Sequence, residues 1–159
     1  MEQVEKIFKE LNINYSIVKH KALFKAGDED DLNIEFDGVV YKNLFLRTKK
    51  KDKFFLVSLP LNKRADLKEI SDKLESGRLS FGNENELWDK LHILPGSVSL
   101  LNVINVPDTS VEFVIDNEVL GIEKVAFHPN DNTATISFEI NGIDKILDFY
   151  GKKFSYIEI

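Results

Sequence analysis

The chain of 159 residues contains no cysteine, and this absence removes several classes of chemistry. Without thiols there can be no disulfide, no cysteine nucleophile and no zinc site built on thiolates. Long apolar runs are also missing. The most hydrophobic stretches, such as residues 54–57, fall far short of the roughly 20 residues needed to span a bilayer. The first residues are charged and do not form the apolar core of a signal peptide. We therefore expect a cytoplasmic protein that does not enter a membrane.

The common catalytic and nucleotide-binding motifs are absent as well. The sequence has no phosphate-binding P-loop, no dinucleotide-binding glycine pattern, no H-E-x-x-H and no G-x-S-x-G. Its three histidines, His20, His92 and His128, lie far apart along the chain. The pattern therefore supports no metal site, and we predict no cofactor.

The charge is unevenly distributed. The formal net charge is −6, but residues 1–64 hold 13 Lys and Arg against 10 Asp and Glu, whereas residues 65–159 hold 8 against 17. Binding one end of an RNA needs only a local basic patch, which the first part of the chain could supply. The alternative is that the lysines at 49–53 are simply the solvated tip of a hairpin.

The hydrophobic periodicity predicts a mixture of helices and strands. Apolar residues recur at helical spacing in residues 2–11, 67–74, 84–91 and 143–150, with Asp66 as a cap and Gly77 as a stop for the second helix. Strands are predicted at 15–18, 43–48, 54–59, 111–115, 124–127, 133–140 and 154–159, with a strand region opening at Gly38 and a short apolar stretch at 79–81. The elements do not alternate strictly as β-α-β units. This order favours an α+β fold in a single domain spanning residues 1–159.

Four segments carry groups that could perform chemistry. Lys42 opens an apolar strand, where its ammonium would be costly to desolvate without an anionic or carbonyl partner. Arg78 follows a helix and could grip a phosphate. Gly96 lies in a Pro-Gly-Ser loop whose backbone N–H groups could approach a ligand closely. His128 ends a strand and could face a pocket. Each also has an ordinary structural explanation, as a snorkelling lysine, a helix-terminal arginine, a plain turn and a turn histidine.

Taken in order, these segments resemble one family. K-N-L-F-L-R at Lys42, R-L-S-F at Arg78, P-G-S-V-S at Pro95 and H-P-N-D-N-T-A-T at His128 are similar to the motifs of the YbaK and prolyl-tRNA-synthetase-associated editing family, closest to its free-standing alanyl-tRNA(Pro) deacylases. The resemblance covers nearly the whole chain. It implies an α+β domain with a mixed, barrel-like sheet flanked by helices. It also implies hydrolysis of the ester joining a small amino acid to the 3′-terminal adenosine of tRNA.

The resemblance also assigns roles to residues. Lys42 matches the family's essential lysine, Gly96 the glycine of its G-x-x-x-P loop, and His128 the histidine that helps close the pocket. Arg78 matches an arginine of the region that binds the acceptor stem. The sequence departs from the family at Leu100, where the loop usually ends in proline, and at Lys21 and Lys25 in the N-terminal H-P-A-x-F-T segment.

These matches lead to a mechanistic hypothesis. Backbone N–H groups at residues 96–98 would hold the ester or the attacking water, Lys42 would anchor the terminal adenosine, and a ribose hydroxyl would relay the proton. We predict Lys42, Gly96 and His128 as catalytic residues, and substrate contacts from Asn43, Phe45, Leu46, Ser97, Val98, Ser99 and Asn132. Contacts to tRNA are expected from Arg78, Lys49 and Lys50.

Alanine on proline tRNA is the predicted substrate, because a synthetase site that fits proline discriminates poorly against something smaller. The expected partners are the tRNA acceptor end and prolyl-tRNA synthetase. Three alternatives remain open at this stage. One is a related deacylase acting on cysteine- or serine-charged tRNA. Another is a non-catalytic module that binds tRNA or a synthetase. The last, a hydrolase of free small esters, would be indifferent to tRNA.

Overall fold

The computed structural model describes residues 2–21, 37–105, 110–128 and 133–159. Four α-helices in these ranges are α1 (Glu2–Glu10), α2 (Leu67–Leu74), α3 (Glu84–Leu91) and α4 (Asn141–Phe149). The strands are β1 (Tyr15–Lys19), β2 (Val39–Thr48), β3 (Phe54–Pro60), β4 (Leu79–Phe81), β5 (Val111–Asp116), β6 (Lys124–Phe127), β7 (Ala134–Glu139) and β8 (Phe154–Ile157). Two 3₁₀ helices cover Leu100–Asn105 and Asn117–Gly121.

The strands form one mixed sheet in the order β1-β7-β6-β2-β3-β5-β8, with β4 paired to β2. β2 runs parallel to β6, and β3, β5 and β8 are mutually parallel, whereas the β1–β7, β6–β7, β2–β3 and β2–β4 pairs are antiparallel. The α+β class is therefore confirmed. The expected barrel-like closure is wrong for the described residues, because β1 and β8 end the pairing order without joining each other.

The hairpin of β2 and β3 organises the packing on both sides of the sheet. Alternating residues of a strand point to opposite faces. Tyr41 and Phe45 enter the larger core with the apolar sides of α1, α3 and α4, and we call this the inner face. Leu44 and Leu46 belong to a smaller cluster with Ile70 of α2, and we call this the outer face. β3 carries apolar side chains on both faces, and this explains its nearly continuous hydrophobic run.

Side-chain caps fix the helix starts. The Asp66 carboxylate accepts from the N–H groups of residues 68 and 69, so its predicted capping role is confirmed. Asn83 and Glu86 form a reciprocal capping box at the start of α3. Gly77 was expected to stop α2, but the helix ends earlier, with Glu75 as a left-handed cap at φ 52°. That correction reflects the hydrogen bonds of the Glu75 N–H back to the last turn, which close the helix before the glycine is reached.

The helices in the described ranges are short. None of them combines enough length with enough hydropathy to cross a bilayer.

Candidate active site

The candidate site lies where β2 changes neighbours. β2 pairs with β6 at Val39 and Val40, and with β4 from Leu46 to Thr48. In the described part of the chain, residues 41–44 have no ladder partner on this edge. Lys42 and Asn43 occupy this open stretch. A parting between neighbouring strands leaves room for a ligand, as at the strand divergences of other sheets.

Lys42 and His128 stand level with each other across this parting. The parallel ladder pairs Val40 with Ala126, and continuing its register by two residues brings Lys42 opposite His128. The rings of Tyr41 and Phe127, one residue earlier on each strand, have centroids 5.9 Å apart. Since these two rings belong to the inner core, Lys42 and His128 project from the outer face.

The Lys42 side chain is half-buried. Its amine forms no hydrogen bond or ion pair with the residues that the structure describes. The half-buried ammonium is therefore positioned to meet an anionic or carbonyl group brought by a ligand.

Two histidines meet at this edge of the outer face. The rings of His20 and His128 have centroids 6.3 Å apart. His128 Nδ1 lies 3.1 Å from the Ala134 carbonyl oxygen, and His20 Nδ1 lies 2.7 Å from that of Lys21. A carbonyl only accepts, so both Nδ1 atoms donate, and in the neutral rings each Nε2 is an acceptor. His20 Nε2 lies 2.8 Å from the Thr135 hydroxyl, which donates to it in that tautomer.

Asn43 fastens the glycine loop to β2 on the inner face. Its Oδ1 accepts from the Ser58 hydroxyl at 2.6 Å and from the Leu100 N–H at 3.1 Å. Leu100 is the position where the resemblance leads one to expect proline. Proline has no N–H, so it could not make this bond. The departure from the family pattern thus supplies the donor that anchors the end of the loop.

The loop before Leu100 is held at several points. Gly96 has φ +93°, a backbone conformation that side chains with a Cβ rarely adopt. The buried Ser99 hydroxyl donates to the His128 carbonyl oxygen at 2.5 Å, and its N–H donates to the Asn102 side chain at 2.6 Å. The Asn102 amide in turn donates to the Ser97 carbonyl at 3.2 Å. The hydrogen bond of Ser99 to His128 therefore joins the loop to the histidine edge.

Not every residue predicted to contact the substrate lies near Lys42 and His128. Ser97 and Val98 are partly buried in the loop. Phe45 stacks on Phe54 in the inner core, with ring centroids 5.6 Å apart, and Leu46 is fully buried on the outer face under α2. Those two side chains are thus on opposite faces of the sheet and apart from the histidine edge. Asn132 lies outside the described residues.

The predicted tRNA contacts gather at the far end of β2. Lys49 and Lys50 are exposed on the turn after β2, and Arg78 directly precedes Leu79, which pairs with Thr48. Six residues separate this end from Lys42, a span of roughly 20 Å at strand spacing. A surface pocket of about 480 Å³ opens between α2 and β4, with Arg78 in its lining.

Sequence reasoning missed His20, Ser58, Asn102 and Thr135 as members of this network. A signal for His20 existed, because it directly follows β1 just as His128 directly follows β6. β1 and β6 flank β7 and are both antiparallel to it, so their carboxyl ends meet at one edge. The described residues contain no group of three or more potential metal ligands.

Comparison with known proteins gives consistent similarities. A family model described as "Aminoacyl-tRNA editing domain" matches residues 31–146. The "Prolyl-tRNA editing protein ProX" of Acetoanaerobium sticklandii is 36% identical over 150 residues, which cover 94% of this chain and 92% of the relative. The "Prolyl-tRNA synthetase associated domain-containing protein 1" of Mus musculus is 33% identical over 130 residues, covering 79% and 76%.

A solved structure agrees on the fold. It belongs to a protein named as a candidate trans-editing enzyme for prolyl tRNA synthetase, and it superimposes with a TM-score of 0.70 over 99% of this chain and 96% of that one. At 16% identity, this likeness supports the fold alone.

Proposed function

Because the chain belongs to the aminoacyl-tRNA editing domain family, we propose that it hydrolyses alanine mischarged onto proline tRNA. One observation carries the proposal: the register of β2 and β6 brings Lys42 level with His128 across the parting, and the hydrogen bond from Leu100 to Asn43 holds the Gly96 loop on the same strand. The bacterial relative is named a prolyl-tRNA editing protein, and this supports proline tRNA as the carrier. The cytoplasm, where charged tRNA is used, is the compartment we assign to this activity.

The chemistry needs little beyond positioning and charge stabilisation. An aminoacyl ester is already activated, so water can attack its carbonyl carbon without a covalent enzyme intermediate. In this proposal the backbone N–H groups of Gly96 and Val98 stabilise the oxyanion, because the Ser97 N–H already donates to the Leu94 carbonyl oxygen at 3.3 Å. The Lys42 ammonium offsets negative charge near the terminal adenosine. The ester bond to the ribose oxygen then breaks, releasing alanine and a tRNA whose ribose hydroxyl is restored.

His128 closes the amino-acid side of the site in this proposal. Its Nδ1 donates to Ala134, which orients the ring and leaves Nε2 as an acceptor in the neutral form. The oriented ring then forms one wall of the proposed amino-acid pocket. Proline, larger than alanine, would be excluded by size, following the logic of a second sieve.

The basic end of β2 completes the proposal. With Lys49, Lys50 and Arg78 about 20 Å from Lys42 at strand spacing, phosphates of the acceptor stem could be bound while the 3′ end reaches the parting. Prolyl-tRNA synthetase is the protein partner we propose, since it produces the mischarged tRNA. The synthetase-related name of the mouse relative is consistent with that choice.

The test is deacylation of Ala-tRNA(Pro) compared with Pro-tRNA(Pro), using Lys42→Ala and Lys42→Met. Removing one electrostatic donor at a developing charge should lower the rate by about 10²- to 10³-fold, with an unchanged melting temperature because the side chain is only half-buried. Lys145→Ala, an exposed lysine on α4, is the matched control. Full activity in both Lys42 variants would remove that lysine's role.

The same assay separates the alternatives. Faster release from Cys-tRNA or Ser-tRNA than from Ala-tRNA(Pro) would reassign the substrate. Tight tRNA binding without any turnover would indicate a non-catalytic module. Hydrolysis of free alanyl esters at the rate seen with tRNA would point to a hydrolase that does not depend on RNA.

A further inference from the structure

Helix α3 runs between the basic end of β2 and the glycine loop. Near its start, Glu86 Oε1 accepts from Arg47 Nε at 2.9 Å, which ties the helix to the end of β2. Further along, the Lys90 amine lies 5.0 Å from the centroid of the Phe54 ring. Leu87 and Leu91 are buried in the inner core. The helix is therefore held firmly, and its remaining side faces solvent.

That solvent side, together with the loop that follows the helix, carries large apolar side chains. Trp88 is 56% exposed and Leu94 64% exposed. The Trp88 ring meets His92 edge-on, with centroids 5.8 Å apart at 61°. His92 is the left-handed cap that ends the helix, and the Gly96 loop begins a few residues later. The exposed Trp88 and His92 rings therefore lie next to the Gly96 loop, and the chemistry proposed above does not use them.

We propose that Trp88 and His92 form a stacking platform for the unpaired nucleotides at the 3′ end of the tRNA. This inference rests on the proposed function. Nucleic-acid bases stack on aromatic side chains regardless of their sequence, which suits a single-stranded end. Exposed Glu84 and Asp89 on the same helix repel phosphates, so bases fit this surface better than backbone does.

The order of features along the surface matches the order along a charged tRNA. Lysines of the β2–β3 turn face the paired stem, the platform faces the unpaired bases, and the Gly96 loop receives the ester. From Trp88 to His92 the helix rises about 6 Å, and the four further residues to Gly96 span at most about 14 Å. The platform therefore lies within roughly 20 Å of the loop.

The chain itself supplies the reporter, because Trp88 is its single tryptophan. We would titrate the protein with an uncharged RNA hairpin that mimics the acceptor stem and ends in CCA, and with the same hairpin lacking CCA. Stacking should quench Trp88 emission with the first RNA and not with the second. Trp88→Ala should weaken binding of the CCA-ended hairpin by about 5- to 150-fold, since each stacked base contributes about 1–3 kcal/mol. The trimmed hairpin should bind both proteins equally.

Two matched variants control for folding and for general surface effects. Trp88→Phe keeps a stacking face and should retain most of the affinity lost in Trp88→Ala. Phe149→Ala removes an aromatic side chain that is 52% exposed on α4 and should change nothing. Equal weakening of both hairpins by Trp88→Ala, or no quenching, would overturn the platform. A change in Trp88 emission with protein concentration alone would also overturn it, since that indicates contact between copies of the chain.

Failure of this inference is distinguishable from failure of the proposed function. If the wild-type protein hydrolyses Ala-tRNA(Pro) and Trp88→Ala behaves like Phe149→Ala, only the platform is refuted. If the wild-type protein neither binds the hairpins nor hydrolyses the ester, the proposed function is refuted together with it.

Discussion

Replacing Asn43 by alanine removes an acceptor that two buried donors share. The Asn43 Oδ1 receives the Ser58 hydroxyl at 2.6 Å and the Leu100 N–H at 3.1 Å, and both donor residues are fully buried. Since water does not reach these groups, losing their acceptor leaves them unsatisfied. Each buried unsatisfied donor costs about 1–3 kcal/mol, so Asn43→Ala should lower the free energy of unfolding by about 2–6 kcal/mol.

The hydrogen bond from the Leu100 N–H to Asn43 Oδ1 also positions the glycine loop, so the deacylation rate should fall as well. Without the bond to Leu100, the loop is no longer held against β2. A displacement of about 1 Å in a group that positions the reaction can reduce the rate by about 10²-fold. Urea unfolding followed by circular dichroism measures the stability, and single-turnover deacylation under conditions where the variant is fully folded measures the loop effect separately.

A double variant tests whether the Ser58 hydroxyl and the Leu100 N–H share one acceptor. Removing the Ser58 hydroxyl together with its acceptor, in Asn43→Ala/Ser58→Ala, leaves one orphaned donor where Asn43→Ala leaves two. The double variant should therefore be more stable than Asn43→Ala by about 1 kcal/mol or more, a non-additive result expected of residues in one network. If the two substitutions destabilise additively, or if Asn43→Ala costs less than about 0.5 kcal/mol, the shared-acceptor account is incorrect.

Two further predictions concern the fold around the site. A Cβ on Gly82 would overlap Cδ2 of the buried Phe45 ring, so Gly82→Ala should destabilise the protein by about 1–3 kcal/mol in a thermal melt. A variant as stable as wild type would show that the ring can move aside. Burial alone would raise the pKa of Glu86, but hydrogen bonds from the Asn83 N–H and the Arg47 guanidinium lower it below the ordinary 4.5. The stability this carboxylate adds is therefore present above about pH 4.5 and lost as the pH falls through its folded pKa. Glu86→Gln should cost about 1 kcal/mol at pH 7 and progressively less below pH 4.5 in urea titrations, and a cost independent of pH would exclude this linkage.

Local sequence patterns predicted much of this fold because they report on local physics. The β2–β3 hairpin was expected from two apolar runs around a lysine-rich turn, and the structure confirms it with continuous antiparallel pairing. The Asp66 cap was predicted for the same reason, since a cap involves only neighbouring residues. The end of α2 was missed because Glu75 adopts a left-handed conformation that glycine more commonly takes.

Pairings between distant segments could not be predicted from the residues alone. His20 and His128 are separated by 108 positions, and their meeting depends on β7 pairing with both β1 and β6. Sequence periodicity indicates that a strand exists but not which strand lies beside it. The role of Leu100 was hidden for a related reason: its backbone N–H is what matters, and only the position of Asn43 gives that N–H a partner.

The short ladder between β2 and β6 has a mechanical consequence. Among the described residues, only Val39 and Val40 pair with β6. This two-residue ladder joins two parts of the sheet, β1-β7-β6 on one side and β2-β3-β5-β8 on the other. The first part carries His20 and His128, and the second carries Lys42 and Asn43. An RNA end bound across this ladder would contact both parts of the sheet and restrain their relative motion. Occupancy of the site should therefore slow hydrogen exchange at the β2–β6 ladder more than at any other edge of the sheet.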